Sequence, residues 1–275
     1  MDLQSEPSFF DKLVYTLIPI RRQTVCHNMG IVFGNRLSAI QIKKLAQCFY
    51  GHMARLILEN VTSSWMDDDA IRRRVRVVGH EFVIKAAEQK KGVLLLTGHF
   101  GNWEFAPVGT VLQFEMFRGR FHVLRKLLAN KGFERLLFRR FYNAGLNVIP
   151  KQKNALDQVL DALGKNDVVA FIMDQYARPD RDGILVDFFG KEAGTYKSLA
   201  LIARQTHAPV IPAVCYRESF GRHVMEFLEP LRWIEDEDPD EEIRKNTRQY
   251  NQMLETMILR HPDQWLWFHR RWKQK

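Results

Sequence analysis

From about residue 5 to 66 apolar side chains recur at helical spacing, as in Ile40, Ile42, Leu45, Ala46, Phe49 and Met53, and Ser38 is placed to cap that run. The pattern predicts a helical N-terminal layer. Between about residues 75 and 228 short apolar runs alternate with amphipathic stretches, and Val75–Val78, Val93–Thr97, Phe121–Leu124, Leu146–Ile149, Val168–Met173 and Val210–Val214 read as strands. Such alternation predicts an α/β fold whose mixed, mostly parallel central sheet is flanked by helices on both faces. His223–Leu228 reads as a further strand, paired with Val210–Val214 as a hairpin across Ser219, Phe220 and Gly221. Residues 175–193, broken by Pro179, Asp180, Asp182, Gly183 and Gly190, are expected to form a long loop beside the sheet. The acidic run Glu235 to Asp238 ahead of Pro239 reads as the solvated start of a helix reaching about Leu259. No repeat or linker divides the chain, so its 275 residues read as a single domain, a helical layer over about 1–66 and an α/β core over about 75–273.

Charge narrows the partners. With 41 Lys and Arg against 32 Asp and Glu the formal net charge is +9, which favours nucleic acid, phospholipid headgroups, phosphorylated substrates or an acidic carrier protein. Cys26, Cys48 and Cys215 are odd in number and match no metal or redox spacing, so buried thiols in a reducing compartment are expected. The nine histidines are scattered and form no metal-ligand motif. The start, Met-Asp-Leu-Gln-Ser-Glu, lacks the basic region of a signal peptide, and no stretch approaches the roughly 20 apolar residues of a membrane span. Phe9 to Ile20, interrupted by Asp11 and Lys12 and followed by Arg21 and Arg22, either lies in a membrane interface or packs as a helix on the domain.

The sharpest chemical signal runs from Gly92 to Glu104: an apolar strand, His99 between Gly98 and Gly101, then a carboxylate as a helix begins. A strand ending in His sets the imidazole at the carboxyl edge of the sheet, where open α/β folds place their sites. His99 and Glu104 would lie on different faces of a continuous helix, whereas a turn between them brings the carboxylate back to the ring. Glu104 is then expected to accept the Nδ1 proton, leaving Nε2 as general base toward an alcohol. No G-x-S-x-G elbow surrounds His99 and no base accompanies Cys215, so direct transfer to an acceptor hydroxyl is favoured over a covalent enzyme intermediate, and the dyad requires neither metal nor organic cofactor. Read bare, the same spacing also suits a structural His and a Glu that complements a helix dipole.

His99-Phe100-Gly101-Asn102-Trp103-Glu104 resembles the signature of the bacterial lipid A biosynthesis (lauroyl and myristoyl) acyltransferases, within the lysophospholipid acyltransferase superfamily. Asp174-Gln175, Phe188-Phe189-Gly190, Ala193-Gly194-Thr195, Ala208 to Pro212 and the block from Pro262 to Lys273 follow in the order typical of that family. The resemblance implies a glycerolipid acyltransferase-like fold. It also implies an enzyme at the cytoplasmic face of the bacterial inner membrane that takes an acyl chain from acyl carrier protein or coenzyme A and passes it to a hydroxyl of a lipid A precursor or related glycolipid. His99 and Glu104 carry over as the catalytic dyad, and Asn102, Arg125, Asp174 and Gln175 as substrate-binding positions. Lys126 stands where the family often has Pro, and the longer apolar N-terminal helix of many members is missing. Peripheral or monotopic attachment is therefore expected, with Arg72, Arg73, Arg74, Arg76, Arg139, Arg140, Arg270 and Arg271 facing an anionic membrane surface. Trp265, Trp267 and Trp272 either rest at headgroup level or fill core space.

Basic clusters interleaved with aromatics also suit a nucleic-acid binding module, but no nucleic-acid recognition motif is present and that reading leaves the His99 unit unexplained. The expectation is an enzyme with no nucleic-acid partner. A thioesterase-like hydrolase, with water in place of the alcohol, and acyltransferases acting on phosphatidylinositol mannoside, lysophospholipid or aminolipid are the remaining readings.

Overall fold

The computed structural model describes residues 6–127 and 138–273; the first five residues, which lack the basic charge of a signal peptide, lie outside the described residues. The N-terminal layer is helical, as its spacing predicts: α1 (Phe9–Leu17), α2 (Arg22–Phe33) and α3 (Ala39–Ser63). Two reciprocal caps start α1 and α3. Ser8 Oγ accepts from the Asp11 amide while Asp11 accepts from Ser8, and Ser38 and Gln41 repeat the arrangement. Each satisfies two amides that the first helical turn leaves without partners.

After the short α4 (Asp68–Arg72) the core alternates as β1 (Val75–Val78), α5 (His80–Ala87), β2 (Val93–Thr97), α6 (Phe105–Gln113), β3 (Phe121–Arg125), α7 (Arg139–Asn143), β4 (Leu146–Pro150), α8 (Ala155–Gly164) and β5 (Val168–Ile172). A hairpin of β6 (Gly183–Phe188) and β7 (Lys191–Tyr196) precedes α9 (Ser198–Thr206), then β8 (Val210–Ser219), β9 (Arg222–Phe227) and α10 (Pro239–Arg260). The seven-stranded sheet has the order β1-β9-β8-β2-β5-β3-β4, parallel throughout except for the β8–β9 hairpin. Its central strands are apolar on both faces because helices cover both: β2 reads Val-Leu-Leu-Leu, buried at every position. Val123 and Ala170 turn toward the side of α6, while Leu124 and Phe171 turn toward α8 and α9.

The long loop expected over residues 175–193 is largely replaced by β6 and β7. Phe189 and Gly190 both take left-handed φ, +56° and +74°, forming a two-residue turn whose twist suits a hairpin. Val186, Phe188, Ala193 and Thr195 are buried, and Asn251 of α10 donates to the Asp187 carbonyl. The glycines that obscure the strand period in the sequence permit this close packing. Arg271 locks the hairpin from behind: its guanidinium donates to the Gly194 carbonyl and Thr195 Oγ1 at 2.6 and 2.7 Å and lies over the Phe188 ring.

Candidate active site

Adjacent parallel strands end at the same edge, so β2 and β5, paired Thr97 to Ile172, deliver His99 and Asp174 side by side. The Asp174 carboxylate lies 3.0 and 3.3 Å from His99 Nδ1 and accepts from the His99 amide at 2.8 Å. Trp265 Nε1 donates to the same carboxylate at 2.8 Å. Gly98 permits this approach, since a Cβ there would stand 3.0 Å from Asp174 Cγ. Asp174 is almost wholly buried, with 2% of its side chain exposed against 17% for His99.

Burial disfavours the imidazolium, but the Asp174 charge and hydrogen bond, with Glu104 adding, outweigh it and raise the pKa of His99 above the ordinary imidazole value. Burial likewise opposes the Asp174 anion, and His99 and the donors around it pull its pKa below the usual carboxylate range instead. A carboxylate on Nδ1 fixes that nitrogen as the donor and leaves Nε2 able to take a proton.

The sequence expectation that Glu104 accepts the Nδ1 proton is therefore corrected: Asp174 occupies that position. Between His99 and Glu104 the chain turns at Gly101, whose φ of +51° and close approach to the Cys215 carbonyl, 2.6 Å from a Cβ built there, exclude other residues. Glu104 emerges as the residue before α6, half-buried, and lines with His99 and Arg125 an apolar slot of about 70 Å³ between α6 and the sheet. Leu95, Val123, Ala170, Ala213, Cys215 and Met225 wall this slot. Trp103, Glu104 and Phe141 also border a larger groove of about 570 Å³, edged by Ile57 and Val61 of α3 and by Trp65 just beyond its end.

The turn is held from beneath by a buried ionic cluster. Glu59 of α3 accepts from Arg217 Nε and Nη2 at 2.8 and 2.6 Å and from Asn102 Nδ2 at 3.1 Å, while Asn102 Oδ1 accepts from the Phe105 amide. His52 bonds to Arg217 through Nδ1 and to the Gly101 carbonyl through Nε2; burial and Arg217 hold its pKa far below the ordinary value, so it is neutral. On top, the C-terminal block adds a strap: Gly101 N donates to the Gln264 carbonyl and Leu266 N to the His99 carbonyl.

The expected site residues thus separate. His99, Glu104 and Arg125 meet at the slot, with the Arg125 guanidinium 3.7 Å from the Phe138 ring centroid. Asp174, the third expected binding residue, is turned onto the imidazole and the Trp265 indole. Asn102 is fully buried with both ends of its amide bonded inside the protein, where it fastens the turn. Gln175 is half-buried, and its side chain makes no hydrogen bond to the described residues. Cys215 donates from Sγ to the Phe100 carbonyl, and burial pushes its thiol up to about 12, where no thiolate nucleophile forms near neutrality. Sequence reasoning missed Glu59, Arg217, His52 and the Trp265 contact. The signal for Asp174 was its place at the end of an apolar strand, the same signal that marked His99.

Residues 8–274 match the family described as bacterial lipid A biosynthesis acyltransferase. The lipid A biosynthesis lauroyltransferase of Escherichia coli K12 is 24% identical over 268 residues, covering 96% of this chain and 83% of that protein. The lipid A biosynthesis palmitoleoyltransferase of the same strain is 25% identical, covering 90% and 82%. A phosphatidylinositol mannoside acyltransferase of Mycolicibacterium smegmatis is 24% identical over 163 residues, 57% of this chain and 50% of that protein.

Proposed function

The chain belongs to the bacterial lipid A biosynthesis acyltransferase family, and from that premise we propose that it is a single-domain O-acyltransferase in which His99 is the general base. The observation that carries this is the buried His99–Asp174 pair at the mouth of an apolar slot. His99 Nε2 takes the proton of an acceptor hydroxyl as its oxygen attacks the thioester carbonyl. The tetrahedral centre collapses with loss of the thiolate, and the imidazolium returns the proton to sulfur, giving ester and free thiol. Asp174 stabilises the imidazolium at Nδ1, and Glu104 adds its charge from the slot. The acyl chain lies against apolar walls at about 0.8 kcal/mol per buried methylene. The net charge of +9 suits an acidic acyl carrier protein as donor, with coenzyme A the other candidate. The acceptor we assign is a hydroxyl of a lipid A precursor or related glycolipid; the mycobacterial relative's name keeps a mannoside acceptor as the second reading.

Acyl transfer from labelled acyl carrier protein to a panel of hydroxylated lipids tests this. Acceptor-dependent product is expected, falling about 10²–10⁴-fold in His99→Ala. Most of the rate surviving in that variant would refute the general-base role, and thioester loss independent of any acceptor would make the protein a hydrolase.

We assign the enzyme to the cytoplasmic face of the inner membrane as a peripheral protein. Among the described residues no helix is long and apolar enough to cross a bilayer. Two exposed apolar stripes support the assignment: Phe9 (82% exposed), Leu13 and Leu17 along α1, and Ile57, Val61 and Trp65 (78% exposed) at the groove. The expected basic face needs correction, because Arg271 is buried in the hairpin lock, while Arg73, Arg76, Arg139 and Arg270 are exposed. Trp265 and Trp267 fill the core, and Trp272 stacks on Phe188. Replacing Leu13 and Leu17 together by Glu is expected to weaken sedimentation with anionic vesicles by about tenfold or more, since each leucine contributes roughly 1.5–3 kcal/mol when fully buried. Unchanged sedimentation would move the contact away from α1.

A further inference from the structure

Four side chains reach the carboxyl edge of the parallel strands: His99 beyond β2, Asp174 beyond β5, Arg125 at the end of β3 and Lys151 just beyond β4. The first three already have places around the imidazole and the slot. Lys151 does not. Its amide donates to the Arg125 carbonyl at 3.1 Å, which anchors its backbone beside the site. Its ammonium lies 4.4 Å from the centroid of the Tyr196 ring, at the end of β7. Among the described residues no carboxylate comes within ion-pair distance of it, although Asp182 and Asp174 are near enough to act on its charge, and its own charge bears on His99.

An ammonium seated on an aromatic face is fixed in place without spending its N–H donors on a carboxylate. It therefore stays open to an outside anion. Arg120 and Lys165, by contrast, are each engaged by an aspartate of the fold. Lys151 is also solvent-exposed, so a ligand can reach it without any rearrangement of the core.

We propose that Lys151, seated on Tyr196, binds a phosphate group of a substrate whose reacting end meets His99. The choice of substrate rests on the acyl-transfer reading; the phosphate site does not. Two substrates can bring that chemistry: the acceptor lipid, through a headgroup phosphate, and the donor, through the phosphate of its pantetheine arm. A compact ammonium with three rotatable donors suits a phosphate approached from either.

Calorimetric titration of the full chain at low salt with glucose 1-phosphate and with pantetheine 4′-phosphate separates the sources, with glucose and pantetheine as controls. The wild type is expected to bind at least one phosphorylated probe and neither control. Lys151→Ala is expected to weaken that binding about tenfold or more, the worth of a charge-assisted hydrogen bond, and Lys151→Arg to retain most of it. The probe that depends on Lys151 names the substrate. Binding that is equal in wild type and Lys151→Ala, or no binding by the wild type, overturns the proposal. In turnover, Lys151→Ala is expected to raise KM for the phosphate-bearing substrate more than it lowers kcat; a fall in kcat at constant KM overturns it as well. Because the titrations need no turnover, Lys151-dependent phosphate binding in a protein that transfers no acyl chain would sink the catalytic reading alone.

Discussion

Asp174→Asn is expected to lower kcat for acyl transfer by about 10²–10⁴-fold, a loss as large as removing His99. An amide in place of the carboxylate cannot stabilise the imidazolium, and its NH₂ can face Nδ1 and reverse the tautomer. The pH profile gives a second readout. His99 must be neutral to act as base, so kcat/KM should rise with pH as its proton leaves, with an apparent pKa above the ordinary 6.5. Without Asp174 the burial that opposes the imidazolium is no longer outweighed, and the rising limb should move to lower pH. Glu104→Gln should move the limb the same way by less, because the Glu104 charge acts on the ring behind that of Asp174. A profile of kcat/KM over pH for the three proteins decides the assignment. If Glu104→Gln is the crippled variant and Asp174→Asn retains activity, Glu104 rather than Asp174 is the partner of the imidazole in turnover.

The largest effect on stability is expected away from the reacting atoms. Glu59 and Arg217 are 6% and 8% exposed, and Glu59→Ala strands a guanidinium in the interior while releasing Asn102 from the turn. Removing one partner of a buried pair costs about 3–5 kcal/mol, against a total of roughly 5–15 kcal/mol for a folded domain. Urea unfolding should show the loss as a lower midpoint. Replacing both partners, Glu59→Leu with Arg217→Met, should recover much of the stability because no charge is left behind. It should not recover kcat, because Asn102 Nδ2 still lacks the acceptor that ties the turn to α3. A loss below about 1 kcal/mol in Glu59→Ala would put the pair in the range of solvated surface bridges.

These two clusters mark where the sequence stops being legible. Local patterns carried the strands: Val75–Val78 and Val93–Thr97 stand at their expected bounds, and β3, β4 and β5 differ by one residue. The hairpin of β8 and β9 was legible from its turn. The carboxylate on His99 was not, because the neighbour of β2 is β5, 75 residues downstream, and strand order in a parallel sheet follows from crossovers that no periodicity encodes. Glu104 lay close in sequence and so invited the pairing that Asp174 makes in space. Asn102 looked like a polar ligand residue for the same reason: a polar side chain in a motif reads alike whether it faces substrate or fastens a turn. Arg271 was read against a membrane, and Trp265 was left between membrane and core, because a basic, aromatic segment has no period to reveal that it packs inward. The family resemblance located the block without giving that orientation.

The strap formed by residues 264–266 sets an order of events during synthesis. His99 receives its backbone clamp and Asp174 its indole donor only from residues translated long after both, so a nascent chain that already holds the motif, the sheet and the slot lacks a finished catalytic centre. On the proposed mechanism, acyl transfer is expected to wait until this last core element has been made and docked. On that reading a truncated product that ends before Pro262 carries every residue of the dyad and is expected to transfer no acyl chain.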